Sequence, residues 1–388
     1  MLETSIVETE DAFQIPTYKK FPISLERGEG CYVWDADGNR YLDFYGGHCV
    51  TLLGHCPPRV VEAIQDQAGQ FMFYSNVVYS SIRARGAQRL AEMAPEGMGH
   101  AFFCNSGTEA NETALKLGRT WTGKPGVAAT IGGFHGRTMG SLAATWNPHY
   151  REPYQTVLSH THFVPFGDIA ALEAVFQAHD DIGVFILEPI QSMAGIVDAP
   201  DAYYRTLRAL CDRHNVALVF DEVQTGVGRT GTFSISEHFG MKPDLITLAK
   251  SLGSGIPIGA VLASDAIAGS VHYGDHGTTF GGGMIAMAAM LATLDTIEQD
   301  NLMPRADALF GALSTALAPL VKRVRGRGCL IGLEMENPVA PVSARLRQLG
   351  VLVGGSDDPK VMRLMPALNT PDSAVEEFID AFRKAIAA

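Results

Sequence analysis

From Pro58 onward the chain alternates between two rhythms. The segments PRVVEAIQDQAGQFM (58–72) and SIRARGAQRLAEMA (81–94) place apolar residues three and four apart, which predicts two amphipathic helices. Short, unbroken apolar runs then follow: Ala101–Cys104, Gly126–Thr130, Val184–Leu187, Ala217–Phe220 and Leu245–Leu248. Runs of that length without polar alternation predict strands buried on both faces, as in a parallel sheet covered by helices. Before residue 45 the pattern is irregular, with one hairpin in CYVWDADGNRYLDF (31–44) turning at Asp37-Gly38-Asn39. After about residue 285 a long apolar helix, MIAMAAMLATLDTIEQ, leads into further helices and short strands. The fold class is therefore α/β, with a large, mostly parallel sheet domain over 56–284. A small α+β domain is expected from both termini, 1–55 with 285–388.

Composition narrows the class of protein. With 388 residues, 46% hydrophobic and 19% charged, the chain is an ordinary globular one, not a disordered, collagenous or disulfide-scaffold one. Lys+Arg 30 against Asp+Glu 42 gives a net charge of −12, which speaks against nucleic acid and anionic lipid as partners. The six cysteines are scattered, so free thiols in a reducing compartment are expected. The opening MLETSIVETED has no apolar core of a signal peptide, and the longest apolar run, Met284–Ala292, is too short to span a membrane. The expectation is a cytoplasmic enzyme.

Three motifs mislead. Gly226-Val-Gly228-Arg-Thr-Gly231 matches a dinucleotide fingerprint, but five residues separate it from the strand and no helix opens on its last glycine. Gly118-Arg-Thr-Trp-Thr-Gly123-Lys124 resembles a phosphate-binding loop, but it leaves a helix and continues into Pro125; a helix C-cap at Gly123 explains it. His160-Thr-His162 is a close histidine pair without a visible third ligand, and no metal is expected.

Three other places carry chemistry. In Phe102-Phe-Cys-Asn-Ser106-Gly107-Thr108-Glu109 an apolar strand runs into a helix start with capping-box spacing, a natural phosphate cradle. An ordinary capped helix would read the same. Asp221 ends the run Val216–Phe220 at the sheet edge where open α/β folds bind ligands, though a loop-capping carboxylate fits there too. Lys250 ends the run Leu245–Ala249 and opens onto a glycine-rich turn. A buried lysine suits a Schiff base, while a snorkelling structural lysine is the plain alternative. Together, a phosphate cradle, a strand-end acid and a strand-end lysine match the three attachments of pyridoxal 5′-phosphate.

With these residues in view, the chain resembles the class III (ω-type) pyridoxal-phosphate aminotransferases, most closely the acetylornithine/ornithine branch. The resemblance runs from Val33–Phe44 to Arg363-Leu-Met-Pro366 and rests on long motifs: Asn105–Glu112, Gly133-Phe-His-Gly-Arg-Thr138, Glu188-Pro-Ile-Gln191, Phe220–Gly231 and Thr278-Thr-Phe-Gly-Gly282. It implies the fold-type I transferase architecture and a homodimer with active sites at the subunit interface. It further implies that Ser106, Gly107 and Thr108 bind the phosphate and that Thr279 reaches the neighbouring subunit's cofactor. Phe134 and Val223 then pack on the two ring faces, with His135 among the cofactor contacts. Asp221 pairs with the ring nitrogen, Gln224 approaches the phenolic oxygen and Lys250 forms the Schiff base. Arg137 and Arg363 bind substrate carboxylates, a task suited to planar guanidinium groups, with Glu188 beside them. The implied reaction moves an amino group from an amino-acid or ω-amino donor, acetylornithine-like, to a 2-oxo acid such as 2-oxoglutarate. Related donors (4-aminobutyrate, diamines, an alanine–glyoxylate pair) or an aminomutase activity are the alternatives.

Four positions depart from the family; Ala367 and Gly283 replace a usual proline and asparagine without a reading, and two others bear on the site. Where its members usually carry a second glutamate, in Glu-Pro-Ile-Gln-x-Glu, this chain has Met193, so nothing in that segment would neutralise Arg363. His48 stands where relatives have an aliphatic residue or a tyrosine, and is expected either to contact substrate or to pack.

Overall fold

The computed structural model describes residues 5–387; Met1–Thr4, the first residues of the segment read as lacking a leader, and Ala388 lie outside the described residues. The chain ends meet in two small sheets. Strands β1 (Leu25–Glu29), β2 (Tyr32–Asp35) and β3 (Arg40–Asp43) form an antiparallel ribbon. Its predicted turn is held by Asp35, whose Oδ1 accepts from the backbone N–H of Asp37 at 3.1 Å and of Asn39 at 2.8 Å.

The central sheet is built from β4 (His100–Cys104), β5 (Gly126–Thr130), β6 (Thr161–Val164), β7 (Ile182–Leu187), β8 (Ala217–Asp221), β9 (Leu245–Leu248) and β10 (Gly259–Ala263). Their spatial order is β4-β10-β9-β8-β7-β5-β6, and β10 alone runs against its neighbours. All five apolar runs are strands of this sheet. β5, β7, β8, β9 and β10 are buried along their whole length, the condition that makes them read as continuous apolar segments. Strand β6, at the sheet edge, is half polar (THFV) and its pattern gives no such signal.

Beyond β10 come β11 (Arg323–Arg327), β12 (Leu330–Glu334), β13 (Val351–Leu352) and β14 (Val361–Leu364). β13 pairs parallel with β3, and β11-β12-β14 form an antiparallel sheet, so the last hundred residues close onto the first fifty. The predicted helices appear as Pro58–Gln70, Ser81–Met93 and Met284–Gln299. The opening segment differs from the irregular expectation. Ser5 and Glu8 form a reciprocal capping box that starts a helix, Ile6–Phe13, with no buried residue. Without an apolar stripe to bury, its period was silent; only the Ser-x-x-Glu spacing marks it.

Candidate active site

Parallel strands deliver their C-terminal ends to one edge of a sheet, and there β4, β5, β7, β8 and β9 release Ser106, Phe134 with His135 and Arg137, Glu188, Asp221 and Lys250. These residues line a cavity of about 510 Å³ together with Gly107, Thr108, Val223 and Gln224. Of the residues predicted for the site, His48, Met193, Thr279 and Arg363 are not on its wall.

The helix Gly107–Thr122 begins at Ser106, whose hydroxyl accepts from the Glu109 N–H. The capping box is altered: the Glu109 carboxylate reaches past Ser106 to the Asn105 N–H at 2.8 Å and takes the Ser106 hydroxyl at 3.0 Å. First-turn N–H groups have no partner within a helix, so those of Gly107 and Thr108 are offered to a ligand. Position 107 has to be glycine, since a Cβ there would stand 2.9 Å from both Val223 methyls. At the other end of the helix, Gly123 is the left-handed C-cap expected of it.

Asp221 is 4% exposed. Its Oδ2 accepts from Asn111 Nδ2 at 2.7 Å and from His135 Nδ1 at 2.8 Å, and its Oδ1 from the Val223 N–H at 3.1 Å. Asn111 is itself fixed by the Thr247 hydroxyl at 2.7 Å. Sequence reasoning missed Asn111, although a polar residue next to Ala110 and ahead of Ala114 on a helix's apolar face was a usable signal. Lys250 sits at φ +42°, a left-handed backbone that non-glycine residues adopt rarely and mostly under constraint. Burial lowers its pKa, and the nearby charge of Arg363 adds to this. Glu188, also buried, accepts from the N–H groups of Phe134 (2.8 Å) and Ser192 (3.2 Å). Burial first, and the charge of Asp221 second, push its carboxyl above the usual range.

The two arginines differ sharply. Arg137 is exposed and stacks over Tyr150, 3.5 Å from the ring centroid. Arg363, on β14, is 1% exposed; it donates to the Ser192 hydroxyl at 3.0 Å and to the Gly355 carbonyl, and neither partner is a carboxylate. Ser192 in turn donates to Gln224 Oε1 at 3.0 Å, which links Arg363 to the cavity wall. Met193 lies in the adjoining loop, its carbonyl accepting from the Asp357 N–H at 2.8 Å. His48 bonds to the Tyr45 hydroxyl at φ +68°. Burial, with Lys250 and Arg363, drives its pKa down to about 4, so it is neutral at physiological pH. Thr279 is exposed on the outer surface beside Phe280. The glycine-rich 226–231 segment is a run of turns that buries Arg229 against the carbonyls of Cys329 and Pro366.

The cavity fits pyridoxal phosphate on its own terms. It has free helix-start N–H groups at one side, a carboxylate oriented by three donors with acceptor capacity left on Oδ1 at another, and a desolvated amine at the third. A buried, unpartnered His135 Nε2 and a glycine that a Cβ could not replace complete it. Fold and cavity thus define an α/β enzyme that works through this cofactor. The chain belongs to the class-III aminotransferase family, whose model matches residues 13–386. It is similar to the acetylornithine aminotransferase of Methanopyrus kandleri, 42% identical over 97% of this chain and 98% of that protein. It is also similar to that of Streptomyces coelicolor, 44% identical over 92% and 90%. Among solved structures, the ornithine aminotransferase of Toxoplasma gondii, with pyridoxal phosphate at its active site, superposes with a TM-score of 0.91 at 28% identity over 97% of this chain and 93% of that one. The protein is a pyridoxal-phosphate-dependent aminotransferase.

Proposed function

We propose that this aminotransferase takes its amino group from a donor that itself carries a carboxylate, an acetylornithine-like amino acid, and delivers it to 2-oxoglutarate in alternating half-reactions. The observation that carries this reading is the buried guanidinium of Arg363, which no carboxylate contacts by hydrogen bond or ion pair. A buried cation is costly unless paired, and a substrate carboxylate is the missing partner. Met193 in place of a glutamate leaves that partner's place open in both half-reactions. Arg137, at the exposed rim, is suited to a second carboxylate, and Glu188, held toward its neutral form, does not repel one.

Bound pyridoxal phosphate supplies an aldehyde that condenses with amines and a ring that draws electrons from the substrate Cα. Ser106, Gly107 and Thr108 hold its phosphate and Lys250 its aldehyde end; with a lowered pKa, Lys250 takes and returns the proton at Cα. Asp221 keeps a proton on the ring nitrogen, its carboxylate oriented by Asn111 and His135. Gln224, whose Oε1 is engaged by Ser192, has its amide N–H groups left for the phenolic oxygen, and Phe134 and Val223 close the two faces. His48 positions Tyr45 near Arg363.

The same reading includes two lobes, 56–284 and 1–55 with 285–388, and a homodimer in which Thr279 serves the partner's cofactor. Exposed Phe71, Met72, Tyr74 and Tyr79, with Phe280 5.1 Å from Phe73, are the apolar surface that supports a second copy. Among the described residues no helix is long and apolar enough to cross a membrane. Free cysteines, five of the six buried, support a reducing, cytoplasmic setting. A donor panel read by the cofactor's visible absorbance tests the substrate. N-acetylornithine and other donors with an α-carboxylate should convert the band fastest. Equal rates with simple amines lacking a carboxylate would refute the reading, as would an unchanged donor preference in Met193→Glu.

A further inference from the structure

The histidine pair 160/162 lacks a third ligand in the sequence, but folding supplies two more groups. His162 lies on the edge strand β6 and His160 just before its start, and their rings stand on one face of it. The helix Ile169–Ala178 covers that face, and its C-cap, His179, brings a ring 3.9 Å from that of His162. Two residues on, just before β7, Asp181 places a carboxylate oxygen 3.7 Å from His162 Nε2. One ligand atom from each of His162, His179 and Asp181 lies within 4.8 Å of the other two. The His160 ring stands 4.7 Å from that of His162 and is exposed.

We propose that His162, His179 and Asp181 form a transition-metal site, with His160 or water in the fourth position. Ligand atoms about 2.0–2.1 Å from zinc sit ~3.4 Å apart in a tetrahedron, close to the 3.7 Å between His162 Nε2 and Asp181 Oδ1. Two imidazoles and one carboxylate suit Zn²⁺, Ni²⁺ or Cu²⁺ and not the oxygen-seeking Mg²⁺ or Ca²⁺. The site lies at the starts of β6 and β7, the opposite end of the sheet from Asp221 and Lys250. Its metal would tie the edge strand, the covering helix and β7 together without entering catalysis.

The test is titration of untagged holoenzyme with Zn²⁺ by calorimetry, in a Cys56→Ser background that removes the exposed thiol. One zinc per chain is expected, with affinity falling tenfold or more in His162→Gln and in His179→Gln, and with transamination rates unchanged in both. A zinc-dependent rise in melting temperature should appear in the parent and vanish in both variants. Melting in chelator shows that each variant is folded; if one is not, the other together with Asp181→Asn decides. Equal zinc affinity in the folded variants, or no zinc binding by the parent, overturns the proposal.

Discussion

Replacing Arg363 with methionine separates a substrate-binding arginine from a structural one. The guanidinium is 1% exposed and makes two hydrogen bonds, to the Ser192 hydroxyl and the Gly355 carbonyl. Losing these costs the fold about 1 kcal/mol each. Methionine has similar bulk and relieves the desolvation of a buried cation, which offsets that loss. Melting should therefore move by only a few degrees. A bidentate carboxylate contact, in contrast, comprises two charge-assisted hydrogen bonds of ~1.5–3 kcal/mol each. Its removal should lower kcat/KM for a carboxylate-bearing donor by ~10²–10⁴, at 1.36 kcal/mol per tenfold. A simple amine of similar size never makes the contact and should keep its rate within about threefold. Stopped-flow measurement of the first half-reaction with both donors reads the difference directly. If both donors lose rate equally, or if the variant unfolds, Arg363 supports the structure and does not bind the donor.

Other consequences follow from contacts around the cavity. Gly107→Ala puts a Cβ 2.9 Å from two Val223 methyls, and such overpacking costs ~1–3 kcal/mol. Cofactor affinity, followed by fluorescence, should fall ~10–100-fold, and Val223→Ala in the same chain should restore most of it; no rescue would dismiss the steric account. Asn111→Ala removes a donor from Asp221 and strands the Thr247 hydroxyl, so melting temperature and cofactor affinity should both fall, whereas Asn111→Leu at the same site should be no better. His48 has a folded pKa of about 4, below the ordinary 6.5, so the unfolded chain binds the extra proton first. Its contribution is complete above pH 6.5 and drains away, by up to ~3 kcal/mol, as pH falls toward 4. His48→Asn, which tolerates the left-handed backbone, should flatten that acid limb in urea unfolding; an identical limb would assign the loss to other groups.

What the sequence showed follows from which forces act locally. Strands buried on both faces have only apolar choices, so β5, β7, β8 and β9 stood out as runs; the ends of β4, β8 and β9 pointed to Ser106, Asp221 and Lys250, while Phe134, His135, Arg137, Glu188, Val223 and Gln224 came from the motif resemblance. Strand β6 mixes polar and apolar residues and the helix Ile6–Phe13 buries none, and their patterns carried no comparable signal. The supporting shell was harder to see. Asn111, Thr247 and Ser192 act by filling hydrogen bonds on other functional groups, and that role appears only when three separate segments converge. His162, His179 and Asp181 show the same limit, since their proximity depends on how a helix crosses an edge strand. Motif resemblance named Arg363, but its burial and its missing counter-charge are visible only in three dimensions.

The cavity treats its charges in a consistent way. Asp221 is held by two side-chain donors and a backbone N–H, Arg363 by a hydroxyl and a carbonyl, and Lys250 by no hydrogen bond among those that set its pKa. Asp221 and Arg363 are thus steadied by dipoles, which orient each without cancelling its charge, while the Lys250 amine has no such partner. Pairing Arg363 with Asp221 or Glu188 would have made a more stable empty protein and a weaker binder, because an incoming ligand would first have to break that pair. A glutamate at position 193 would do part of this, by occupying Arg363 whenever the donor brings no carboxylate. With methionine there, position 193 brings no carboxylate to Arg363, whose hydrogen bonds go to a hydroxyl and a carbonyl. In a molecule of net charge −12, Lys250 and Arg137 line the cavity and Arg363 reaches its wall through Ser192 and Gln224. The acidic exterior therefore places no limit on the anionic ligands its interior is arranged to hold.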